Sequence, residues 1–142
     1  MFGTGDYVDE FEDMIFDAEI DDVIYYKGLT NSPQLEIRNH DFTVDFAFNQ
    51  SFGMAYIEST LNGSKVFAYP NYGSKEVLSD IPDSFYESFD ELTQKINNIK
   101  NVKKEDLEKN YDIIMKKYSK EVVANKFLEL LDKKNEKGKK KK

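Results

Sequence analysis

The chain has 142 residues, 39% hydrophobic and 14% aromatic, with no cysteine and a net charge of −7. That length can bury a core without cross-links and that composition is unlike a disordered chain, while the lack of cysteine excludes a disulfide framework and a thiolate metal site. No apolar run nears the roughly 20 residues of a membrane span, and the acidic opening (Asp6, Asp9, Glu10, Glu12, Asp13) is unlike a signal peptide. The expectation is a soluble cytoplasmic domain, free or peripheral at a membrane.

The charge is unevenly spread. Residues 1–50 hold two basic residues, Lys27 and Arg38, against twelve acids, whereas residues 101–142 hold fourteen lysines against eight acids. Much of the basic excess lies in residues 133–142, which contain no apolar side chain. This segment is expected to be a disordered, solvated Lys-rich tail outside a folded domain of residues 1–132. Proteins that track phosphates interleave aromatics with their basic residues, and the tail has none, so nucleic acid is not an expected partner.

In chain order, Gly3-Thr-Gly5-Asp6 is followed by Val8, Phe11, Ile15 and Ala18 at helical spacing, with Asp6, Asp9 and Glu10 suited to a helix N-terminus. Asp22-Val-Ile-Tyr-Tyr26 reads as a short buried strand ending at Lys27-Gly28. After the loop Thr30-Asn-Ser-Pro33, a brief helix is expected from about Gln34 to Asn39. Phe42 to Phe48 alternates as a strand does, and Asn49-Gln-Ser-Phe-Gly53 is a turn. From Met54 a helix carries Ile57 and Leu61 and stops at Asn62-Gly63. Lys65–Tyr69 reads as another strand, closed by Pro70-Asn-Tyr-Gly73. Strand, helix and strand in this space make a βαβ unit with parallel strands and a right-handed crossover.

The remainder reads as helical. One stripe holds Phe89, Leu92, Ile96 and Ile99, and another holds Leu107, Tyr111, Ile114 and Tyr118. Ser119 suits the N-cap of a last helix with Val123, Phe127, Leu130 and Leu131 on one face. No repeat or dividing linker is evident.

A turn from the end of a parallel strand into a helix is a general phosphate site, because unpaired N–H groups and the helix dipole converge there. Gly53 allows close approach, and Gly53, Met54 and Ala55 offer main-chain donors to a pyrophosphate. Glu58, about a turn and a half further on, has the chemistry to accept both hydroxyls of a ribose. Each residue also has a plain structural reading: Gly53 as a turn, Met54 and Ile57 as core, and Glu58 as a solvated helix residue. His40, the single histidine, excludes a histidine triad or zinc cluster and is read as structural. Gly3-x-Gly5 lacks the preceding strand that a dinucleotide fingerprint needs.

From Asp41 to Val77 the chain resembles, without a gap, the retaining GT-B glycosyltransferases of the group-one, or family-four, class. That family's pattern is a strand, Glu-Gly-Phe-Gly, four residues, Glu-Ala, a nearby Gly and a second strand. Here those positions read Gln50-Ser-Phe-Gly53, Met54–Ile57, Glu58-Ser59, Gly63 and Val66-Phe-Ala68. Phe2–Asp6 and Val23–Gly28 resemble two earlier strand ends, and Tyr118–Ala124 with Phe127–Leu130 resembles the closing helix. The resemblance implies an α/β fold: a Rossmann-like parallel sheet with flanking helices, the partial C-terminal half of a GT-B fold with a helical C-terminus, in strand order 3-2-1-4-5-6. It further implies a nucleoside-diphosphate sugar as substrate, with no cofactor and no metal. By position, Ser51, Phe52, Gly53, Met54 and Ala55 surround the donor diphosphate and Glu58 binds the ribose. Gly28 and Leu29 lie toward the base, and Gln50 contacts the donor sugar in the catalytic position.

Two departures qualify the expectation. Gln50 stands where the family has Glu, and Ser51 where it has Gly. A carboxamide hydrogen-bonds a hydroxyl but carries no charge to stabilise an oxocarbenium-like transition state. The family's Arg and Lys, which neutralise the leaving diphosphate, and its acceptor-binding half would precede Met1. The chain is therefore expected to be the donor-binding portion of a glycosyltransferase, inactive without an N-terminal half, with open strand edges prone to self-association. The alternative is a non-catalytic, glycosyltransferase-like binding or stabilising module. On the resemblance, the last helix docks on the N-terminal half; packing on its own domain is the other reading.

Overall fold

A computed structural model describes residues 5–139, and the side chains of residues 5–133. It divides into two compact units that meet in sequence between Pro33 and Gln34.

The first unit is built on α1 (Val8–Asp17). Its apolar stripe buries Ile15, and Phe11 meets the Tyr26 ring edge-on at 6.5 Å. Asp9 and Glu10 occupy the first turn, where the dipole favours carboxylates. The expected strand at Asp22–Tyr26 is absent. The segment turns, with the N–H groups of Val23 and Ile24 both donating to the Ile20 carbonyl at 3.0 and 2.9 Å. Apolar, β-branched composition is not enough to make a strand, which also needs a paired neighbour and a buried face. Val23 and Tyr25 are instead 69% and 58% exposed. The open edge expected on this segment disappears with it. Of the Phe2–Asp6 match, residues 1–4 lie outside the described residues.

The second unit contains α2 (Pro33–Arg38), β1 (Phe42–Asp45), α3 (Met54–Leu61), β2 (Lys65–Ala68), α4 (Tyr72–Leu78), α5 (Phe89–Asn97), α6 (Lys104–Tyr118) and α7 (Lys120–Lys139). Pro82–Ser84 and Ile99–Asn101 form short 3-10 turns. Strands β1 and β2 are parallel, with Phe42 opposite Lys65 and Asp45 opposite Ala68. This confirms a mixed α/β unit containing a βαβ element. Among the described residues the sheet has two strands, extended only by a parallel bridge from Ala68 to Phe85. Among the described residues, the outer edge of β1 has no partner strand.

All four residues of β2 are buried, because its two faces are both covered. Val66 and Ala68 join Tyr56, Ile57, Val77, Leu78, Ile81 and Ile114 in a core between α3, α4 and α6. Phe67 turns the other way, toward Tyr86 and Leu92, with Phe42, Val44 and Ile96 packed around them.

Helix boundaries follow local chemistry. Helix α3 stops where Gly63 adopts φ +84° and its N–H donates to the Thr60 carbonyl at 3.1 Å. Pro70-Asn-Tyr-Gly73 does not merely close β2: it opens α4. Asn71 caps that helix by accepting from the Ser74 N–H at 2.9 Å, while the Ser74 hydroxyl accepts from the Asn71 N–H at 2.9 Å. Ser119 precedes α7 as expected, accepting from the Val122 N–H at 3.4 Å. The face of Val123, Phe127, Leu130 and Leu131 is exposed, so packing on its own domain is not what that stripe does. Of the Lys-rich tail, α7 runs to Lys139 and residues 140–142 lie outside the described residues.

Candidate functional site

The two strands end side by side, and each feeds a helix. From β1 the chain runs through residues 46–52 to Gly53, the N-cap of α3, at φ +85° and ψ 62°. This left-handed conformation favours glycine. Packing requires it as well, since a Cβ at Gly53 would lie 2.3 Å from the Tyr56 ring. The glycine is thus fully accounted for inside the protein. What it leaves behind is a turn, buried at Gly53 and exposed on either side, with no side-chain cap over the first amides of α3. Among the described residues, the Tyr56 N–H turns back to the Gly53 carbonyl at 3.0 Å, while the N–H groups of Met54 and Ala55 meet no acceptor. The side chains of Met54 and Ala55 are exposed, so these amides lie at the solvent boundary.

Glu58 follows Met54 by four residues and Ala55 by three, on one helix face. It is half-buried, and no hydrogen bond or ion pair engages its carboxylate among the described residues. Gln50 is half-buried, and its carbonyl accepts the Gly73 N–H at 2.9 Å. A Cβ at Gly73 would sit 2.8 Å from that oxygen and from the Phe52 carbonyl. Gly73 is therefore what lets the 50–52 loop lie against the start of α4. Ser51 is exposed, and Phe52 meets the Tyr118 ring edge-on at 5.7 Å. One loop and one helix turn thus bring Gln50, Ser51, Phe52, Gly53, Met54, Ala55 and Glu58 together. Gly28, at φ +65°, and Leu29, 76% exposed, belong to the first unit.

A polar knot behind the turn was not legible in the sequence. Asp45 accepts the Tyr56 hydroxyl on one carboxylate oxygen and the Ala47 N–H, at 2.8 Å, on the other. Its carbonyl accepts the Tyr86 hydroxyl at 2.9 Å. Asn71 donates to the Ala47 carbonyl at 2.7 Å, tying the β1 loop to the cap of α4. Burial, aided by the hydrogen bond to the Asp45 carboxylate, pushes the Tyr56 phenol up to about 12. Burial also raises the Tyr86 phenol, with the Asp45 charge adding to it. A residue that alternates as a strand position gives no hint that its carboxylate will organise two neighbouring loops.

Beside this knot, Phe46, Phe48, Tyr69, Tyr86, Glu87, Ser88 and Phe89 line a cleft of about 190 Å³. Phe48 and Tyr69 meet at 4.9 Å and 68°, and Phe46 and Tyr86 at 6.5 Å and 68°. His40, just before β1, is exposed and bonds through Nδ1 to the Glu36 carbonyl at 2.5 Å.

This geometry, an uncapped helix N-terminus at the end of a parallel strand with a carboxylate one turn on, is generic to nucleotide sites. The sequence comparison narrows it. The chain is similar to a glycosyltransferase. It is 26% identical, over 81 residues, to the poly(glycerol-phosphate) alpha-glucosyltransferase of Bacillus subtilis (strain 168). The match covers 56% of this chain and 12% of the length of that protein. No family model matches the chain. Among the described residues, no helix is long and apolar enough to cross a membrane.

Proposed function

We propose that the second unit binds the diphosphate and ribose of a nucleoside-diphosphate sugar at the start of α3, as the donor-binding portion of a retaining GT-B glycosyltransferase. The observation that carries the reading is the uncapped turn at Gly53 with Glu58 unpartnered on the same helix face. The N–H groups of Met54 and Ala55 donate to phosphate oxygens, and Glu58 accepts the ribose hydroxyls. Ser51 and Phe52 flank the diphosphate, and Gln50 contacts the donor sugar.

Magnitudes favour weak binding by this chain alone. A helix terminus contributes roughly 0.3–2 kcal/mol and a charged hydrogen bond roughly 1.5–3 kcal/mol. Against the cost of immobilising a ligand, this gives a Kd between about millimolar and high micromolar. Sugar transfer then depends on an acceptor-side segment or chain that supplies the countercharge for the leaving diphosphate. Gln50, uncharged where the family pattern has Glu, favours the second reading, a binding module without catalysis. A panel of nucleoside diphosphates titrated into the chain tests the proposal. One of them should bind saturably, and Glu58→Ala should weaken it at least about tenfold, the equivalent of 1.4 kcal/mol. Binding that Glu58→Ala leaves untouched would remove the proposed site.

A further inference from the structure

Lys65 opens β2 at the end of the sheet away from the Gly53 turn, and it has no part in the proposed nucleotide site. Strand alternation puts its side chain on the same face as that of Phe67, toward α5. It is 7% exposed, a burial that lysines seldom reach unless they are paired. Yet among the described residues no hydrogen bond or ion pair engages its ammonium, and the Phe67 ring centroid lies 6.0 Å from Nζ. Lysines elsewhere show the contrast. Lys104 and Lys109, 85% and 74% exposed, face Glu108 and Asp106 at 3.4 Å, and Lys117 faces Asp80 at 2.6 Å.

Lys65 instead lines a cavity of about 410 Å³, together with Phe67, Asp83, Glu91, Gln94, Lys95 and Asn98. The two carboxylates of the cavity do not pair with it. Glu91 is held by Lys95 at 3.5 Å, and Lys95 also donates to the Asp83 carbonyl at 3.4 Å. Burial lowers the Lys65 amine below its ordinary value. Asp83 and, from α6, Asp106 pull it back through space, while Lys95 pushes in the same direction as burial.

An amine desolvated in this way and set near a second cation is the arrangement that makes lysine a nucleophile. The surroundings narrow what it takes. A phosphate or carboxylate ligand would meet Asp83 and Glu91 beside the ammonium, and the two lysines and two acids of the cavity already cancel. An acyl group instead turns the amine into a neutral amide, which removes the charge that the fold leaves buried without a partner.

We propose that Lys65 is an acylation site, a buried amine that takes a small activated acyl group through the cavity at the start of β2. The nitrogen lone pair attacks the acyl carbon and a C–N bond forms. The bond to the carboxylate or thiolate leaving group breaks, and a proton passes from nitrogen to solvent.

The test is limited acetylation of the full chain with acetic anhydride, mapped residue by residue by mass spectrometry from about pH 6 to about pH 10. Near neutral pH, Lys65 should be modified at least about threefold faster than Lys104 and Lys109, because a lowered amine holds a larger neutral fraction. Its yield should also begin to climb at a lower pH than theirs. In urea, where the cavity is gone, the difference should vanish. Lys65→Met keeps the length of the side chain and removes the charge, so it should melt no lower than the parent chain. Modification no faster than that of Lys104 and Lys109 would mean an ammonium that reaches water from a buried stem, and would overturn the proposal. So would a preference for Lys65 that persists in urea, or a lowered melt in Lys65→Met.

Discussion

The turns that follow β1 and β2 occupy equivalent places at the ends of neighbouring parallel strands, yet they finish their helices in opposite ways. The turn into α4 is closed. Asn71 and Ser74 cap each other, and the Gly73 N–H is taken by the Gln50 carbonyl at 2.9 Å. The turn into α3 is open, with no side-chain cap and a left-handed glycine holding its shape. Unpaired amides at a helix start are satisfied by side chains, water or a ligand. The contrast shows that the fold can cap such a turn internally, and does so at one while leaving the adjacent one free. It also shows how the two depend on each other, since the open turn is supported by the closed one through Gly73, Asn71 and the Ala47 carbonyl.

Removing the glycine should have the largest effect. Gly53→Ala places a side chain at φ +85° and drives it against the Tyr56 ring. The backbone alone costs about 1–3 kcal/mol, and displacing the ring adds to this, so the loss in denaturant melts should be about 2 kcal/mol or more. In a Tyr56→Ala background the added cost should fall to the backbone part. An unchanged melt would mean that the turn is not built as described.

Opening the closed turn comes next. Asn71→Ala removes an N-cap worth about 0.5–2 kcal/mol and leaves the Ala47 carbonyl without its donor. The resulting loss of stability should exceed that of Ser88→Ala at the N-cap of α5. Ser88 is exposed, and its hydroxyl accepts the Glu91 N–H at 3.2 Å and no other donor among the described residues.

The knot between the turns gives a pH signature. Tyr56 is a phenol whose folded value lies near 12, above the ordinary 10. The protonated form is therefore favoured by folding, and its contribution is complete below pH 10 and lost as pH rises through about 12. Burial also raises Tyr86 and Tyr118, so phenolate absorbance should show several late tyrosines, among which Tyr56→Phe should abolish the step near pH 12. The smallest effect should be that of Glu58→Ala on stability, within about 0.5 kcal/mol, because its carboxylate has no partner to lose.

How much was legible in the sequence depended on how local the cause was. The βαβ element was readable because Phe42–Val44 alternates, Gly53 breaks the chain, and Asn62-Gly63 stops the helix. Each is a short-range signal. Helix α4 was missed because Tyr72 and Gly73 resemble a loop, although Asn71 and Ser74, three apart, carried a capping signature. Asp22–Tyr26 has strand-like side chains but no partner, and pairing is not written in one segment. The site divides the same way. Gly53, Met54, Ala55 and Glu58 were readable from spacing, and Gln50, Ser51 and Phe52 from the family resemblance, whereas the Asp45–Tyr56–Asn71 knot joins residues brought together only by the fold.

The proposed site puts a diphosphate at the open turn and not at its closed neighbour. Amide chemical shifts followed by NMR during titration with a nucleoside diphosphate test this most directly. Saturable shifts are expected at Met54 and Ala55, with little change at Gly73 and Ser74 and loss of the response in Glu58→Ala. Shifts at the capped start of α4 equal to those at Met54 and Ala55, or no shift at either turn, would contradict it.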